Sequence, residues 1–213
     1  PYTVIGEADD SGQLRLEDQE FKNIPIDMSL DMLLGKPPKM HRKVEHVSLS
    51  GKSFQTNSIE FKDAAERVLQ LPTVADKRFL ITIGDRSISG LVVRDQMVGP
   101  WQCPVADCAI TASAFTGFTG EAMAVGERAP VAVLNAPASG RLAIAEAITN
   151  ICAARITRIE DIALSANWMA ACGVAGEDAK LFDTVETVSS LAKSLKIAIP
   201  VGKDSLSMNT IWS

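Results

Sequence analysis

The most regular hydrophobic pattern in the chain lies near its end. Leu181, Val185, Val188, Leu191 and Leu195 recur at spacings of three and four, which predicts a helix over 178–196 with one apolar stripe. Asp178 near its start suits the positive end of the helix dipole. A second helix is predicted from Ser139 to Arg155, with Ser139 as its N-cap. A third runs from Glu60 to Gln70, where Phe61, Ala64, Ala65 and Val68 share a face and Pro72 ends the pattern. Apolar runs bounded by glycine-rich turns predict strands at Phe79–Ile83, Val105–Ile110, Ala122–Val125 and Pro130–Leu134. Shorter runs at Asp161–Ser165 and Ile197–Val201 predict two more strands. Residues 1–6 read as a last strand of something upstream, and 7–58 as a linker with short elements.

Strands followed by helix, strand, helix, strand imply an α/β (α+β) chain. The expected architecture is a mixed sheet with its helices packed on one face. The natural division is 1–58 and 59–213. The chain opens at Pro1 and closes within the apolar run Ile211-Trp212, which leads us to expect an internal piece of a longer polypeptide.

Composition narrows the function. The 213 residues carry 26 acidic and 21 basic side chains, a formal net charge of -5, which argues against a nucleic-acid surface. Lys36, Lys39, His41, Arg42 and Lys43 cluster, and read as a solvated loop. No run reaches the roughly 18 apolar residues of a membrane helix, and no signal peptide is apparent. Cys103, Cys108, Cys152 and Cys172 form no CxxC pair, and only two histidines accompany them. They read as reduced thiols of a cytoplasmic protein rather than a zinc site.

Three groups of residues have chemical potential. Glu146 and Asn150 are four apart on the Ser139 helix and share a face, distinct from that of Leu142 and Ile148. Asp107 interrupts the apolar run Val105–Ile110, where a buried carboxylate is costly unless paired or metal-bound. Two carboxylates and an amide are hard oxygen donors that suit magnesium beside nucleotide phosphates. From spacing alone, the favoured reading is a capped strand end for Asp107 and an exposed helix position for Glu146. The small-residue segment Gly84–Gly90 reads as a turn or a phosphate cradle. It lacks the Gly-Lys-Ser/Thr of a Walker motif. Gly202-Lys203-Asp204-Ser205-Leu206-Ser207 follows a predicted buried strand, where open α/β sheets bind ligands. It reads equally as a polar turn.

Longer phrases carry more. Gly84-Asp85-Arg86-Ser87, Arg94-Asp95-Gln96-Met97-Val98-Gly99-Pro100-Trp101-Gln102 and Gly120-Glu121-Ala122-Met123-Ala124 occur in order. Gly126-Glu127-Arg128-Ala129-Pro130, Leu164-Ser165-Ala166-Asn167-Trp168-Met169 and Gly202-Lys203-Asp204-Ser205 follow. With Pro25-Ile26-Asp27-Met28 and Leu33 to Arg42, this series resembles the formylglycinamide ribonucleotide amidotransferase (phosphoribosylformylglycinamidine synthase) family, in its large single-chain bacterial form. The resemblance covers almost the whole chain.

The resemblance implies an ATP-dependent C–N ligase of purine biosynthesis, several times longer than this chain. Its synthetase region has two related halves. A C-terminal glutaminase domain supplies ammonia through a channel. ATP activates the formyl amide oxygen of the substrate, and ammonia then displaces phosphate to give an amidine, with magnesium neutralising the phosphates. This chain resembles the end of the first half, the linker, and the aminoimidazole-ribonucleotide-synthetase-like N-terminal subdomain of the second half.

The resemblance also implies a site. Asp107, Glu146 and Asn150 fall at metal positions, Ala106 at a nucleotide contact and Lys77 at a second one. Lys203, Asp204 and Ser205, with Asn167 beside them, are a second tier facing substrate. The implied ligands are ATP or ADP with Mg2+ and small-molecule substrates, and the implied partners are the remaining domains of the same polypeptide, including the glutaminase. No cysteine lies in the Gly-x-Cys-x-Gly setting of a glutaminase nucleophile. We name no catalytic residue and expect the isolated chain to be inactive. The half-site serves either the ligase machinery, through the Lys203 segment, or a structural role around a trapped nucleotide. The phrases above argue against an independent selenophosphate synthetase or thiamine-phosphate kinase of the same superfamily.

Overall fold

Leucines alternate with polar residues over Gln13-Leu14-Arg15-Leu16, and a matching alternation follows at Ile24, Ile26 and Met28. A period of two places each set on one face of a strand. The computed structural model, which describes residues 1–212 except 40, 49–50, 85–88 and 104, shows the result. Strands β1 (Gln13–Asp18) and β2 (Asn23–Ser29) form an antiparallel hairpin with Leu14 opposite Met28 and Leu16 opposite Ile26. The Asp18 carboxylate accepts the Glu20 and Phe21 N–H groups at 2.9 and 3.0 Å and closes the turn. Ser29 caps a short helix, α1 (Leu30–Leu34). These elements belong to a compact unit of residues Pro1–Lys43. The hairpin was legible as alternation, yet lies inside the segment read as linker. Residues 1–6, expected as a strand, have no regular structure, and neither do 208–212.

The second compact unit spans Val44–Ser213. Helix α2 (Phe61–Gln70) is the one its apolar face predicts, and it stops at Leu71 before Pro72. Helix α3 (Arg78–Ile83) replaces the strand expected at Phe79–Ile83. Short apolar runs do not separate helix from strand by periodicity. Here Asp76 decides, because its carboxylate accepts the Arg78 N–H at 3.0 Å and so satisfies an N-terminal donor. That bond and a second one from the Arg78 guanidinium hold the Asp76 carboxyl below its usual range.

Strands β3 (Val92–Arg94), β4 (Cys108–Ala112) and β5 (Gly120–Ala124) form an antiparallel sheet in that order. Pro130–Leu134 is not a strand. Helix α4 (Ala129–Ala132) takes its place, with Pro130 in the first turn, where a missing N–H costs nothing. The Glu127 carboxylate accepts the Ala129 N–H at 2.8 Å and stabilises that turn. Helix α5 (Ala136–Ile151) starts three residues before the position expected from Ser139. Its N-cap is Asn135, whose side chain accepts the Ala138 N–H at 2.9 Å. Ser139 is instead buried inside the helix and donates to the Arg128 carbonyl at 2.8 Å. The core face of α5 carries Ala136 and Ile144, while Leu142 is exposed.

Strand β6 (Ala163–Met169), helix α6 (Glu177–Leu195) and strand β7 (Ala198–Ser205) make a parallel β-α-β unit. Helix α6 appears where its stripe places it. Val188 is buried, Leu181, Leu191 and Leu195 are half-buried, and Val185 is exposed. The α/β class is therefore as the sequence implies. Antiparallel and parallel strands both occur, but in separate small sheets rather than joined in one. Helix α5 packs on β5, and α6 packs on both α5 and β7.

Alanines are frequent in the core around α5 and α6. Ala136, Ile144, Ala179, Val188, Ala192 and Ile197 are buried, and no large side chain among the described residues is wholly so. Gly140 sets the approach. A Cβ there would meet Val188 Cγ2 at 2.7 Å and Thr184 Cγ2 at 2.8 Å. Both neighbours are β-branched and stiff at χ1, so the helices must part to admit a methyl group. Overpacking of this kind costs about 1–3 kcal/mol, against about 1 kcal/mol regained by replacing a helical glycine. Gly140→Ala should therefore lower stability by up to about 2 kcal/mol, and Gly140→Leu by more. Chemical denaturation should show a lower midpoint at unchanged slope, and an unshifted midpoint for both variants would refute the tight contact.

Candidate functional site

The pairing register of β4 and β5 brings the first candidates together. Cys108 lies opposite Ala124 at the end of the ladder, so the next positions outward are Asp107 and Val125. Beyond Val125 the chain runs across α5. Gly126 permits this, because a Cβ there would sit 2.0 Å from the Ala143 carbonyl oxygen and 2.7 Å from the Ala147 nitrogen. With backbone lying on the helix, its polar groups meet the side chains of α5. Asn150 Nδ2 donates to the Val125 carbonyl at 3.0 Å. Glu146 Oε2 accepts the Glu127 N–H at 3.0 Å, and Glu146 Oε1 lies 3.3 Å from an Arg128 guanidinium nitrogen. The four-residue spacing of Glu146 and Asn150 thus does what it predicts, placing both on one strip of α5 facing one segment.

These groups line a cleft of about 1020 Å³. Ala106, Asp107, Glu146 and Asn150 all contribute to its wall, as do Arg94, Glu127 and Arg128. The structure therefore gathers four of the five first-tier residues around one space. Asp107 is not in a buried strand, as the apolar run suggested. It is exposed, at the bend before β4, and Cys108 is the residue that turns inward. The burial cost that would force a partner on this carboxylate does not arise, and it has no hydrogen bond or ion pair among the described residues.

The remaining candidates sit elsewhere. Lys77 stands at the N-cap position of α3 without a side-chain cap bond, its Nζ turned back to donate to the Ala75 carbonyl, and is not part of the cleft wall, although Leu71, Thr73 and Val74 are. Lys203, Asp204 and Ser205 are not in a loop. The parallel ladder with β6 continues through them, pairing Lys203 with Asn167, Asp204 with Trp168 and Ser205 with Met169. Lys203 and Asp204 are consecutive and both exposed, since this stretch of the two-stranded sheet is open on both faces, and none of the three lines the cleft. Asn167 lines a neighbouring cleft of about 530 Å³, whose wall Glu127 and Arg128 share. Of the Gly84–Gly90 segment, residues 85–88 lie outside the described residues.

The sequence reading missed two cations. Arg94 leaves β3 toward the cleft, donates to the Ala153 carbonyl at 3.4 Å, and keeps its Nε buried without a hydrogen bond. Arg128 was visible only as part of a phrase. Charge alternation gives no warning of either, since each becomes a cleft residue through the β3–β4 register or the seat of Gly126 on α5.

The donor chemistry suits a hard cation only in part. Asp107, Glu146 and the Asn150 amide are oxygen donors of the right kind. Among the described residues no group of three or more His, Cys, Asp or Glu is placed to hold a metal ion. Two carboxylates and an amide, one oxygen each, leave half of an octahedral shell to other oxygens, as magnesium does when it binds with phosphates and water.

A family model described as FGAR-AT PurM_N-like domain matches residues 76–213. The match contains all of the cleft residues named above except Leu71, Thr73 and Val74.

The seat of Gly126 on α5 generates a test. Gly126→Ala forces backbone against backbone, and a shift there breaks the bond from the Glu127 N–H to Glu146. We expect a loss of about 3 kcal/mol, at the upper end for overpacking, with faster hydrogen exchange at the Glu127 amide. An unchanged melting temperature and unchanged exchange would rule out this geometry.

Proposed function

Because the chain belongs to the FGAR-AT PurM_N-like domain family, we propose that it serves the amidotransferase by holding a nucleotide with its magnesium. The site is the cleft between β4, the Val125–Arg128 segment and α5. The carrying observation is the convergence of Ala106, Asp107, Glu146 and Asn150 on that one space. Asp107 and Glu146 would hold the cation with the Asn150 oxygen, while Ala106 borders the nucleotide. Bound magnesium would offset phosphate charge. Arg94 and Arg128 add positive charge to the same walls.

In this reading residues 59–213 are the synthetase-like subdomain and 1–58 the end of a preceding subdomain with its linker. The family match over 76–213 falls inside the first of these. The partners are further domains of the same polypeptide, among them a glutaminase, and the setting is the cytoplasm. Among the described residues no helix is long and apolar enough to cross a membrane. The reaction served is the ATP-dependent conversion of formylglycinamide ribonucleotide and glutamine to the amidine.

One observation favours a structural nucleotide over one that turns over. Lys203, Asp204 and Ser205, the residues expected to face substrate, form strand rather than a loop and stand outside the cleft wall. A nucleotide held here would then tie the sheet to α5. Lys77 keeps its place as a nucleotide contact only if it turns from Ala75.

Two outcomes are expected. In the full-length protein, Asp107→Asn and Glu146→Ala should lower both the nucleotide content after purification and the melting temperature. The stability lost is the ligand's own contribution, about 2.7 kcal/mol for a ligand at a hundred times its Kd. Full nucleotide content and unchanged melting in both variants would defeat the proposal. The isolated 213-residue chain, supplied with ATP, glutamine and formylglycinamide ribonucleotide, should give no amidine by chromatography; sustained turnover would show that the chain is sufficient by itself.

A further inference from the structure

We propose that Arg128 is an exchangeable counter-ion, pairing with Glu146 while no cation is bound and turning to the nucleotide phosphates once a divalent cation takes that carboxylate. The inference rests on the nucleotide and magnesium reading above, and adds a coupling between the two ligands.

Both oxygens of Glu146 are already engaged by consecutive residues. Oε2 accepts the Glu127 N–H at 3.0 Å, and Oε1 meets Arg128 at 3.3 Å. Each oxygen keeps a second lone pair, so a cation need not break either contact, but it brings positive charge against whichever donor shares its oxygen and competes with that donor. The backbone bond belongs to the segment that lies directly on α5 at Gly126. The guanidinium is the weaker hold. Its side chain is 49% exposed against 25% for Glu146, and ion pairs so exposed contribute little net stability. The Arg128 backbone is fixed, since its carbonyl accepts the buried Ser139 hydroxyl at 2.8 Å. The anchor stays while the long side chain is free to turn.

Once released, the guanidinium would stand beside the incoming cation as a like charge. Phosphate oxygens in the same cleft relieve that repulsion, and the planar five-donor fork of arginine matches them. Arg128 already lines the cleft. Its exchange links the ligands in both directions. A cation frees the arginine for phosphate, and phosphate draws the arginine off Glu146 and opens it to the cation. By linkage each must raise the affinity of the other by the same factor. A cation alone binds against the arginine and is held weakly.

The test uses full-length protein stripped of nucleotide, with Mn2+ as the probe cation followed by electron paramagnetic resonance. Arg128→Gln should tighten Mn2+ binding about two- to fivefold, the range an exposed ion pair allows. The same change should weaken ADP binding at saturating Mg2+ and shrink the effect of Mg2+ on ADP affinity. Arg128→Lys, which keeps the charge but not the fork, should fall between. Arg94→Gln removes another positive charge from the cleft and leaves the Glu146 pair intact, so it should give less than half the Mn2+ effect. Equal effects from Arg94→Gln and Arg128→Gln, or no effect from Arg128→Gln with a native melting curve, would overturn the exchange. If Arg128→Gln does not fold, Mn2+ affinity in Arg128→Lys equal to wild type would overturn it as well. Glu146→Gln separates the two levels: Mn2+ binding that survives it unchanged removes the metal reading itself, and the exchange with it.

Discussion

The seat of Gly126 on α5 is the constraint on which the site depends. A backbone segment lying directly on a helix presents carbonyls and N–H groups to the helix side chains at hydrogen-bond distance. Any Cβ at Gly126 would stand it off, since the Ala143 oxygen lies 2.0 Å from that position. The bonds of Glu146 to the Glu127 N–H and of Asn150 to the Val125 carbonyl follow from that approach. So does the position of Arg128, and hence the charge pattern of the cleft. The same helix is met closely on another side, where Gly140 admits Thr184 and Val188 of α6. Helix α5 is thus held between two glycine contacts, and the cleft inherits their precision.

Small residues make this possible and also limit the core. Alanine, valine and cysteine supply most of the buried positions, so the stabilising area per residue is modest and each contact must be close. Large apolar side chains such as Phe61, Phe115 and Phe118 are exposed instead. The stability of the unit therefore depends on fit between backbones more than on bulk, and dispersion falls off steeply when such surfaces separate. A ligand that bridged β4 and α5 would add to this fit rather than duplicate it.

The electrostatics of the cleft are balanced rather than one-signed. Asp107, Glu127 and Glu146 face Arg94 and Arg128. A site of this kind attracts neither an anion nor a cation strongly by its field, and suits a ligand that brings both, such as a nucleotide with its cation. Specificity then comes from which pairs are exchanged on binding.

Helix α6 was legible in the sequence because a five-residue stripe at helical spacing has one structural solution. Helix α2 followed for the same reason, and Pro72 marked its end without tertiary help. The shared face of Glu146 and Asn150 was equally local, a matter of four residues on a helix. Three other readings failed because contacts outside the run's own periodicity set its conformation. Phe79–Ile83 and Pro130–Leu134 are short apolar runs whose conformation was decided by single side chains, Asp76 and Glu127, bonding to nearby N–H groups. Lys203 to Ser205 looked like a loop because it is polar, but a parallel partner in β6 drew it into a strand. The resemblance carried by long phrases named the family, and a matching family model over 76–213 agrees with it. What the sequence alone determined was therefore the periodic helices, the α/β class and the lineage, all set by neighbours along the chain. The tertiary structure alone decided that Asp107 is exposed, that Arg94 and Arg128 enter the cleft, and that Glu146 is doubly engaged. Those depend on strand register and on how closely backbone approaches helix, which no local pattern encodes.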